Sequence, residues 1–261
     1  MTIEKDLIRA GRPGRVGFKA LIDAAIDLLF PPRCVACGSL GSWLCASCVS
    51  EIKPIRPPLC QRCGLPLEAS PAGRPAPLRC SRCRQLPQEW EALLAYGFHQ
   101  EALRTAIHQF KYEDLRCLAP LLGGLMAEGW GRLAPDGWQP DVIVPIPLHP
   151  SRQRQRGYNQ SALLARELGA HLGCPVETKA LMRVRATAPQ VGLGLDERRT
   201  NVRGAFDCRD GRLRGKKVLL IDDVCTTGST LESACLAMKE SGATSVLAYT
   251  LARARSSGPD T

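Results

Sequence analysis

The chain has 261 residues, of which 44% are hydrophobic and 23% charged, a balance that excludes an intrinsically disordered protein. Its apolar runs all fall short of the roughly 18 residues that a membrane-spanning helix needs, so we expect no stable membrane insertion. The formal net charge of +10 favours anionic partners such as phosphates, nucleotides or nucleic acids, without selecting one of them.

Both the charge and the cysteines are concentrated in particular stretches. Residues 151–217 hold 15 basic and 6 acidic side chains, which gives this stretch +9 of the total charge. Eight of the 13 cysteines lie between Cys34 and Cys83, in a stretch rich in proline and poor in apolar residues. The first 19 residues lack the apolar core of a secretion signal, so we expect a cytoplasmic, reducing environment in which the thiols stay free of disulfides.

In chain order, these patterns divide the chain into four regions. Residues 1–30 form a tail with an amphipathic helix at 18–30, residues 31–87 a cysteine-rich module, residues 90–255 an α/β domain, and residues 256–261 a disordered tail. Apolar runs in the α/β domain predict strands at 93–98, 142–147, 218–221 and 246–251. Apolar residues at helical spacing predict helices at 101–111, 118–130, 159–172 and 230–240. Strands that alternate with helices over short links predict a parallel sheet flanked by helices.

Four Cys-x-x-Cys pairs follow one another in the cysteine-rich module. Such a turn points two thiolates to one side, and two turns together complete the tetrahedral shell of a zinc ion. The pairs therefore predict up to two structural zinc ions, held by Cys34, Cys37, Cys45, Cys48, Cys60, Cys63, Cys80 and Cys83. Disulfides, an iron–sulfur cluster and a thioredoxin-like redox pair are the competing interpretations, and sequential and crossed pairing of the turns are both open.

The stretch Val218–Thr230 reads VLLIDDVCTTGST and carries the clearest chemistry in the chain. An apolar strand ends in two carboxylates, and a loop of hydroxyls and glycine then opens a helix, as in an anion site at a helix N-terminus. Two carboxylates beside a phosphate would repel it unless they face sugar hydroxyls or a metal ion, so the ligand should combine a phosphate, a diol and Mg²⁺. The residues expected to bind it are Asp222, Asp223, Thr226, Thr227, Gly228, Ser229 and Thr230.

Two further stretches supply arginines near this motif. Val144–Gln160 places Arg152, Arg154, Arg156 and Gly157 after a predicted strand and then opens a helix at Asn159. Arginine forks suit pyrophosphate oxygens, so we expect Arg152, Arg156 and Gly157 to bind a diphosphate group. The polar, glycine-bearing stretch Arg183–Phe206 predicts a mobile cover over the site, from which Arg198, together with Arg199 and Arg203, would reach the ligand.

The 13 residues of Val218–Thr230 resemble the 5-phosphoribosyl-1-pyrophosphate (PRPP) signature of the type I phosphoribosyltransferases. With the cysteine pairs and the blocks VPIPLH, Arg-Gly-Tyr-Asn-Gln and Arg-Gly-Ala-Phe, the chain is similar over roughly residues 20–253 to the ComF family of competence-associated proteins. The resemblance implies a double zinc ribbon joined to a type I phosphoribosyltransferase domain, an α/β fold whose parallel sheet is flanked by helices. It also implies that Asp222 and Asp223 are the catalytic pair and hold the ribose hydroxyls, and that residues 225–230, including Cys225, hold the 5-phosphate.

Two functions are consistent with these features. In the first, the protein is a phosphoribosyltransferase that binds PRPP with Mg²⁺, transfers the ribose phosphate to an acceptor not identified by the sequence, and serves DNA uptake. In the second, it is a non-catalytic competence factor whose site senses a ribose phosphate, while other surfaces bind single-stranded DNA and DNA-uptake proteins such as a helicase or processing factor. The basic residues available for DNA, or for a merely solvated surface, are Lys179, Arg183, Arg185, Arg212, Arg214, Lys216 and Lys217.

Overall fold

The computed structural model describes residues 31–67, 78–84, 90–185, 204–208 and 211–255. The helix predicted at 18–30, the tail at 256–261 and the arginines Arg198, Arg199 and Arg203 lie outside these ranges. Within the described ranges, no helix combines the length and the apolar character that crossing a membrane requires.

The α/β domain is built on a four-stranded parallel sheet, as the alternation of strands and helices predicts. The strands of the described residues are β1 Leu93–Phe98, β2 Val142–Pro145, β3 Met182–Arg183, β4 Phe206–Asp207, β5 Lys217–Cys225 and β6 Ser245–Arg253. The sheet has the order β1-β6-β5-β2, and β3 and β4 form a separate antiparallel pair. The apolar character of β5 and β6 follows from their central position, where helices cover both faces.

Helices cover the two faces of the sheet unequally. The α-helices of the described residues are α1 Ala46–Glu51, α2 Ser81–Arg84, α3 Glu101–Tyr112, α4 Ala119–Leu133, α5 Pro150–Arg156, α6 Gln160–Leu172 and α7 Ser229–Glu240. Alternate residues of a strand face opposite sides: Leu219 and Ile221 of β5 pack with α3, α4 and α6, whereas Val218 and Leu220 pack with α7. Each such buried aliphatic side chain stabilises the fold by about 1.5–3 kcal/mol.

Two elements at the carboxyl edge of the sheet differ from the predictions. The strand predicted at 218–221 extends from Lys217 to Cys225, so Asp222 and Asp223 lie within it rather than after its end. The extension is stabilised by β6, which runs beside it and pairs with it as far as Cys225. The arginine stretch after β2 forms a helix, α5, which has no fully buried residue and therefore no apolar period by which to predict it.

The cysteine-rich module packs directly against the sheet. The backbone N–H of Leu93 donates to the carbonyl of Gln61 (3.3 Å), and that of Ile55 donates to the carbonyl of Tyr96 (2.8 Å). Cys34 and Cys48 belong to the same buried cluster as the apolar face of α3. The module therefore shares a core with the α/β domain, which offsets its own shortage of apolar residues.

Candidate functional site

Two carboxylates stand side by side near the end of β5, and the first of them is held by α6. Oδ1 of Asp222 accepts a hydrogen bond from the Ser161 hydroxyl (2.8 Å) and another from the backbone N–H of Asp223 (2.9 Å). Asn159 caps α6 by accepting from the Ser161 N–H (3.0 Å) and donates its side-chain amide to the carbonyl of Ile146 (2.9 Å). The start of α6 is thereby fixed between the ends of β2 and β5.

The second carboxylate is held by a lysine that the sequence analysis did not single out. Nζ of Lys111, in the last turn of α3, lies 2.7 Å from Oδ1 of Asp223, whose side chain is 4% exposed. The other oxygen of Asp223, Oδ2, is buried and has no hydrogen-bond partner among the described residues. A buried carboxylate oxygen without a donor is costly, so this atom is suited to accept a hydrogen bond from a ligand or to bind a cation.

The charge of Asp223 affects the pKa of Asp222. Burial and the neighbouring charge of Asp223 raise the pKa of Asp222 well above the ordinary carboxyl range, whereas Lys111 and the Ser161 hydroxyl act in the opposite direction. Paired acids of this kind are typical of functional sites. They place two adjacent carboxyl groups near the carboxyl edge of the sheet, where open α/β sheets bind their ligands.

Basic side chains from other elements lie close enough to interact electrostatically with this pair. Burial and the nearby charge of Arg152 lower the pKa of Arg183 on β3, and Asp222 acts on it in the opposite sense. Burial also lowers the pKa of His99, which follows β1, and the charge of Lys111 lowers it further. The proximity of Arg183 to Asp222 depends on the tertiary structure and leaves no local signal in the sequence. From the sequence alone, Arg183 is therefore one of the surplus basic residues.

The loop after β5 places hydroxyls and a glycine at the N-terminus of α7, where the sequence predicts a phosphate cradle. Gly228 takes φ +87°, a left-handed conformation that favours glycine, and is the N-cap of α7. The Thr227 and Ser229 hydroxyls lie 3.0 Å apart, at the start of this 12-residue helix. Hydroxyls and the first N–H groups of α7 are thus gathered at its positive end, an arrangement suited to a phosphate.

A buried arginine at the end of β6 holds the loop that follows β5. Nη1 of Arg253 donates to the carbonyl of Thr226 (2.5 Å) and contacts Sγ of Cys225 (2.7 Å). The Cys225 thiol is buried, and burial raises its pKa to about 11. Cys225 therefore supports the loop through its backbone and its contact with Arg253, and its neutral thiol is unsuited to act as a nucleophile.

The predicted diphosphate-binding residues lie on α5 and at its C-terminus. His149 caps this helix, Pro150 occupies its first turn, and Gly157 ends it with φ +77°. Nη1 of Arg156 donates to Oε1 of Gln160 (2.6 Å), and its guanidinium lies 5.0 Å from the centroid of the Tyr112 ring. Arg156 is therefore positioned by α6 and α3. Arg152 lies close enough to Arg183 to lower its pKa.

Some of the other basic residues of the stretch 151–217 lie at the opposite edge of the sheet. Arg212, Arg214 and Lys217 are exposed at or just before the amino end of β5. At about 3.3 Å per residue, the five residues from Lys217 to Asp222 span about 16 Å. Among the described residues of the +9 stretch, Arg152 and Arg156 thus lie on α5 after β2, whereas Arg212, Arg214 and Lys217 lie at the amino end of β5.

The eight paired cysteines form two clusters. Their sulfur atoms all lie within 4.8 Å of one another in each set, Cys34, Cys37, Cys45 and Cys48 in the first cluster and Cys60, Cys63, Cys80 and Cys83 in the second. The pairs therefore combine sequentially, which excludes the crossed arrangement. Gly38 and Gly64, which follow two of the turns, take φ +81° and +68° as such knuckles require.

Both clusters fit a tetrahedral zinc ion. The sulfurs of Cys37 and Cys45 lie 3.6 Å apart, and those of Cys63 and Cys80 lie 3.9 Å apart. A zinc ion with four sulfurs at about 2.3 Å requires sulfur–sulfur separations of about 3.8 Å. Four sulfurs leave no open coordination position, so these zinc sites are structural.

Comparison with known proteins agrees with this architecture. A double zinc ribbon domain model matches residues 25–84, and a phosphoribosyl transferase domain model matches residues 131–260. The DNA utilization protein YhgH of Salmonella typhi is 34% identical over 232 residues, which cover 87% of this chain and 99% of that protein. Competence protein F of Haemophilus influenzae is 32% identical over 232 residues, 85% of this chain and 97% of the relative.

Among solved structures, the chain is similar to glutamine PRPP amidotransferase from B. subtilis, with a TM-score of 0.36 and 21% identity over 52% of this chain and 26% of that one. The sheet, the cysteine clusters and the two domain models define a phosphoribosyltransferase-type domain joined to a double zinc ribbon. Because relatives above 30% identity match over nearly their whole length, the chain belongs to the ComF family of competence-associated proteins, which confirms the resemblance in its sequence.

Proposed function

We propose that the site binds PRPP with Mg²⁺ and transfers its 5-phosphoribosyl group to an acceptor. The observation that carries this proposal is the adjacency of two carboxylates on β5 to a hydroxyl-rich helix N-terminus, with two residues between Asp223 and Thr226. A rigid strand, turn and helix thus present groups for a diol and for a phosphate at a fixed separation. Few ligands other than a ribose phosphate combine these two groups.

Each part of PRPP would meet residues suited to it. The ribose hydroxyls donate to Asp222 and to the unpartnered Oδ2 of Asp223, and the 5-phosphate accepts hydrogen bonds from residues 226–230. Arg152 and Arg156 bind the diphosphate as charged forks, with Arg198 as a third such residue. When bound, Mg²⁺ supplies positive charge at the diphosphate and stabilises it as a leaving group.

The transfer step breaks one bond at ribose C1 and forms another. The bond between ribose C1 and the diphosphate oxygen breaks, and pyrophosphate leaves with the electron pair. The acceptor atom forms the new bond to C1 and releases its proton to water or to a nearby carboxylate. Asp222 and Asp223 orient the ribose and stabilise the positive charge that develops at C1, so catalysis is mainly positioning and electrostatic stabilisation.

The setting that we propose is DNA uptake in the cytoplasm. Support for this part of the proposal comes from the names of the relatives, which refer to DNA utilization and to competence. In this setting, a DNA-uptake helicase or processing protein is the expected protein partner. The acceptor would then be a nucleobase, an amine or the end of a nucleic acid.

Pyrophosphate release tests the transferase proposal. The protein is mixed with PRPP, Mg²⁺ and one acceptor at a time, drawn from purines, pyrimidines, amines and oligonucleotide ends. We expect release with at least one acceptor class, and no release from the Asp222→Asn, Asp223→Asn double variant. PRPP binding without release for every acceptor would favour a sensor over an enzyme, and the absence of PRPP binding would contradict both.

A second candidate function rests on the basic amino edge of the sheet. Lys217 at the amino end of β5 is about 16 Å along the strand from Asp222, and the exposed Arg212 and Arg214 precede it in the chain, so a DNA strand bound at this end would not compete with a small ligand. One of these residues, Arg212, already pairs with Glu177 at 3.2 Å, which reduces the charge available. We therefore place DNA binding second to PRPP binding.

A gel shift on single-stranded DNA tests this second function. The quadruple change of Arg212, Arg214, Lys216 and Lys217 to Glu should abolish a shift that weakens as salt increases. The variant with Arg132→Glu and Arg166→Glu, two exposed positions on α4 and α6, is the control and should retain binding. A shift that is independent of salt, or equal in both variants, would remove the amino edge as the DNA site.

A further inference from the structure

The second cysteine cluster lies against the phosphate cradle through a buried tryptophan. Nε1 of Trp90 donates to the carbonyl of Arg62 (2.7 Å), a residue between the ligands Cys60 and Cys63. The six-membered ring of the same tryptophan lies so close to Gly228 that a Cβ there would be 3.4 Å from Trp90 Cη2. One side chain therefore contacts both a zinc knuckle and the N-cap of α7.

The side chain of Arg62 makes a second connection. Its Nη2 lies 3.4 Å from Oε1 of Glu232 in the first turn of α7, and Arg62 as a whole is 5% exposed. Its guanidinium also lies 5.9 Å from the centroid of the Trp90 ring. The backbone N–H of Glu232 donates to the carbonyl of Gly228 (2.8 Å), so the residue that Arg62 holds is bonded to the cradle itself.

The knuckle that carries Arg62 is itself fixed to the sheet. Gly64 lies so close to β1 that a Cβ there would be 2.3 Å from the carbonyl oxygen of Leu93. The N–H of Leu93 donates to the carbonyl of Gln61 on the same knuckle (3.3 Å). The knuckle is therefore anchored to β1, and Trp90 and Arg62 connect it to the start of α7.

The first cysteine cluster provides an internal contrast. Cys34 and Cys48 pack with α3 and α4 in one hydrophobic core. Trp90 and Cys225 pack with α7 in a second hydrophobic core. The contacts of Arg62 and Trp90 connect the cradle to the knuckle of Cys60 and Cys63, which belongs to the second cysteine cluster. The two zinc sites therefore differ in their relation to the ligand site.

We propose that the second zinc site positions the phosphate cradle through Arg62 and Trp90, so that zinc at Cys60, Cys63, Cys80 and Cys83 and a ligand in the cradle stabilise each other. Arg62 and Trp90 are then positioning residues. The ligand half of this proposal rests on the proposed PRPP site. Coupling between the equilibrium affinities of two sites is reciprocal, so PRPP should raise the zinc affinity of the second site by the same factor by which zinc strengthens PRPP binding.

Hydrogen exchange on the full-length, zinc-loaded protein tests the coupling without any ligand. In Arg62→Gln and in Trp90→Phe, which keep all eight cysteines, we expect the amides of residues 226–233 to exchange at least tenfold faster. The control is Arg212→Gln, which removes an exposed ion pair with Glu177 remote from the cradle and should leave these amides unchanged. The double variant Arg62→Glu, Glu232→Arg reverses the pair and should restore slow exchange; equal exchange in all variants would overturn the proposal.

The rate of zinc release to a chromogenic chelator is the second test of the coupling. With PRPP and Mg²⁺ present, we expect one of the two zinc ions to leave at least fivefold more slowly, and this protection should disappear in Arg62→Gln. To assign that ion, the measurement is repeated on Cys37→Ser, which retains only the second site. PRPP that binds by calorimetry yet protects neither zinc would overturn the coupling, whereas failure of the wild type to bind PRPP would contradict the proposed function and leave the exchange experiment to decide the coupling.

Discussion

The ammonium group of Lys111 lies 2.7 Å from Oδ1 of Asp223, which places a cation from α3 against one of two adjacent acids on β5. The Asp223 side chain is nearly inaccessible and that of Lys111 is 20% exposed, so solvent screens the pair only weakly. Lys111 therefore offsets part of the repulsion between Asp222 and Asp223 before any ligand binds.

Replacing this lysine tests its contribution to stability. In Lys111→Met, the buried carboxylate of Asp223 loses its cation, and we expect the free energy of unfolding to fall by about 2 kcal/mol, less than for a fully buried pair because Lys111 is partly exposed. Lys111→Arg keeps the charge and should recover most of the loss. The exposed pair of Arg132 and Glu128 on α4 is the control, and Arg132→Gln should change stability by about 0.5 kcal/mol or less. Urea unfolding of all three variants makes the comparison, and equal losses would contradict the account.

The raised pKa of Asp222 predicts a stability effect that depends on pH. Because the folded protein holds this proton more tightly than the unfolded chain, the favourable contribution is complete below the unfolded carboxyl pKa and is lost as pH rises through the folded value. Asp222→Asn does not titrate and should therefore raise the Tm at pH 8 by at least about 3 °C. The gain should shrink toward zero near pH 4. A gain that is the same at both values would contradict the assigned pKa shift.

Metal analysis tests the cysteine clusters. We expect two zinc ions per chain in the wild type and one in Cys37→Ser, because that change removes a ligand from the first cluster alone. Thermal unfolding should show a lower Tm for Cys37→Ser, since zinc binding free energy is part of folding free energy in such modules. Folded protein that contains iron, or no metal at all, would contradict the zinc assignment.

The conformation of Gly228 predicts the effect of a single methyl group. Gly228→Ala requires φ +87° in a residue with a Cβ and brings that carbon to 3.4 Å from Trp90, so we expect a loss of about 1–2 kcal/mol and weaker PRPP binding. Gly124→Ala is the matched control, because this helical glycine on α4 has nothing within 4 Å of the added carbon. That variant should be neutral or slightly more stable. Similar losses in both variants would show that the cradle does not depend on glycine.

The sequence predicts the parts of the fold that local pattern determines. The strand Leu93–Phe98 has the predicted boundaries, and the Cys-x-x-Cys turns and the parallel sheet are confirmed. Apolar runs and fixed cysteine spacing act over a few residues, so they can be read without knowledge of the rest of the chain.

The features of the fold and of the site that depend on contacts between distant residues could not be predicted from the sequence. Lys111 is 112 residues from Asp223 along the chain, and nothing around it in the sequence indicates a carboxylate partner. Arg183 approaches Asp222 from β3, and Arg62 reaches Glu232 from a zinc knuckle. The helix α5 could not be predicted because a helix with no fully buried residue has no apolar periodicity in its sequence.

Calorimetric titration with PRPP and Mg²⁺ tests the central claim most directly. We expect the wild type to bind PRPP, and the Asp222→Asn, Asp223→Asn double variant to bind it at least about 100-fold more weakly, as the loss of two hydrogen bonds to charged groups at about 1.5 kcal/mol each implies. Inorganic phosphate, which lacks the diol, should bind both proteins equally weakly. PRPP binding of equal strength in the wild type and the double variant would contradict the role assigned to the acidic pair.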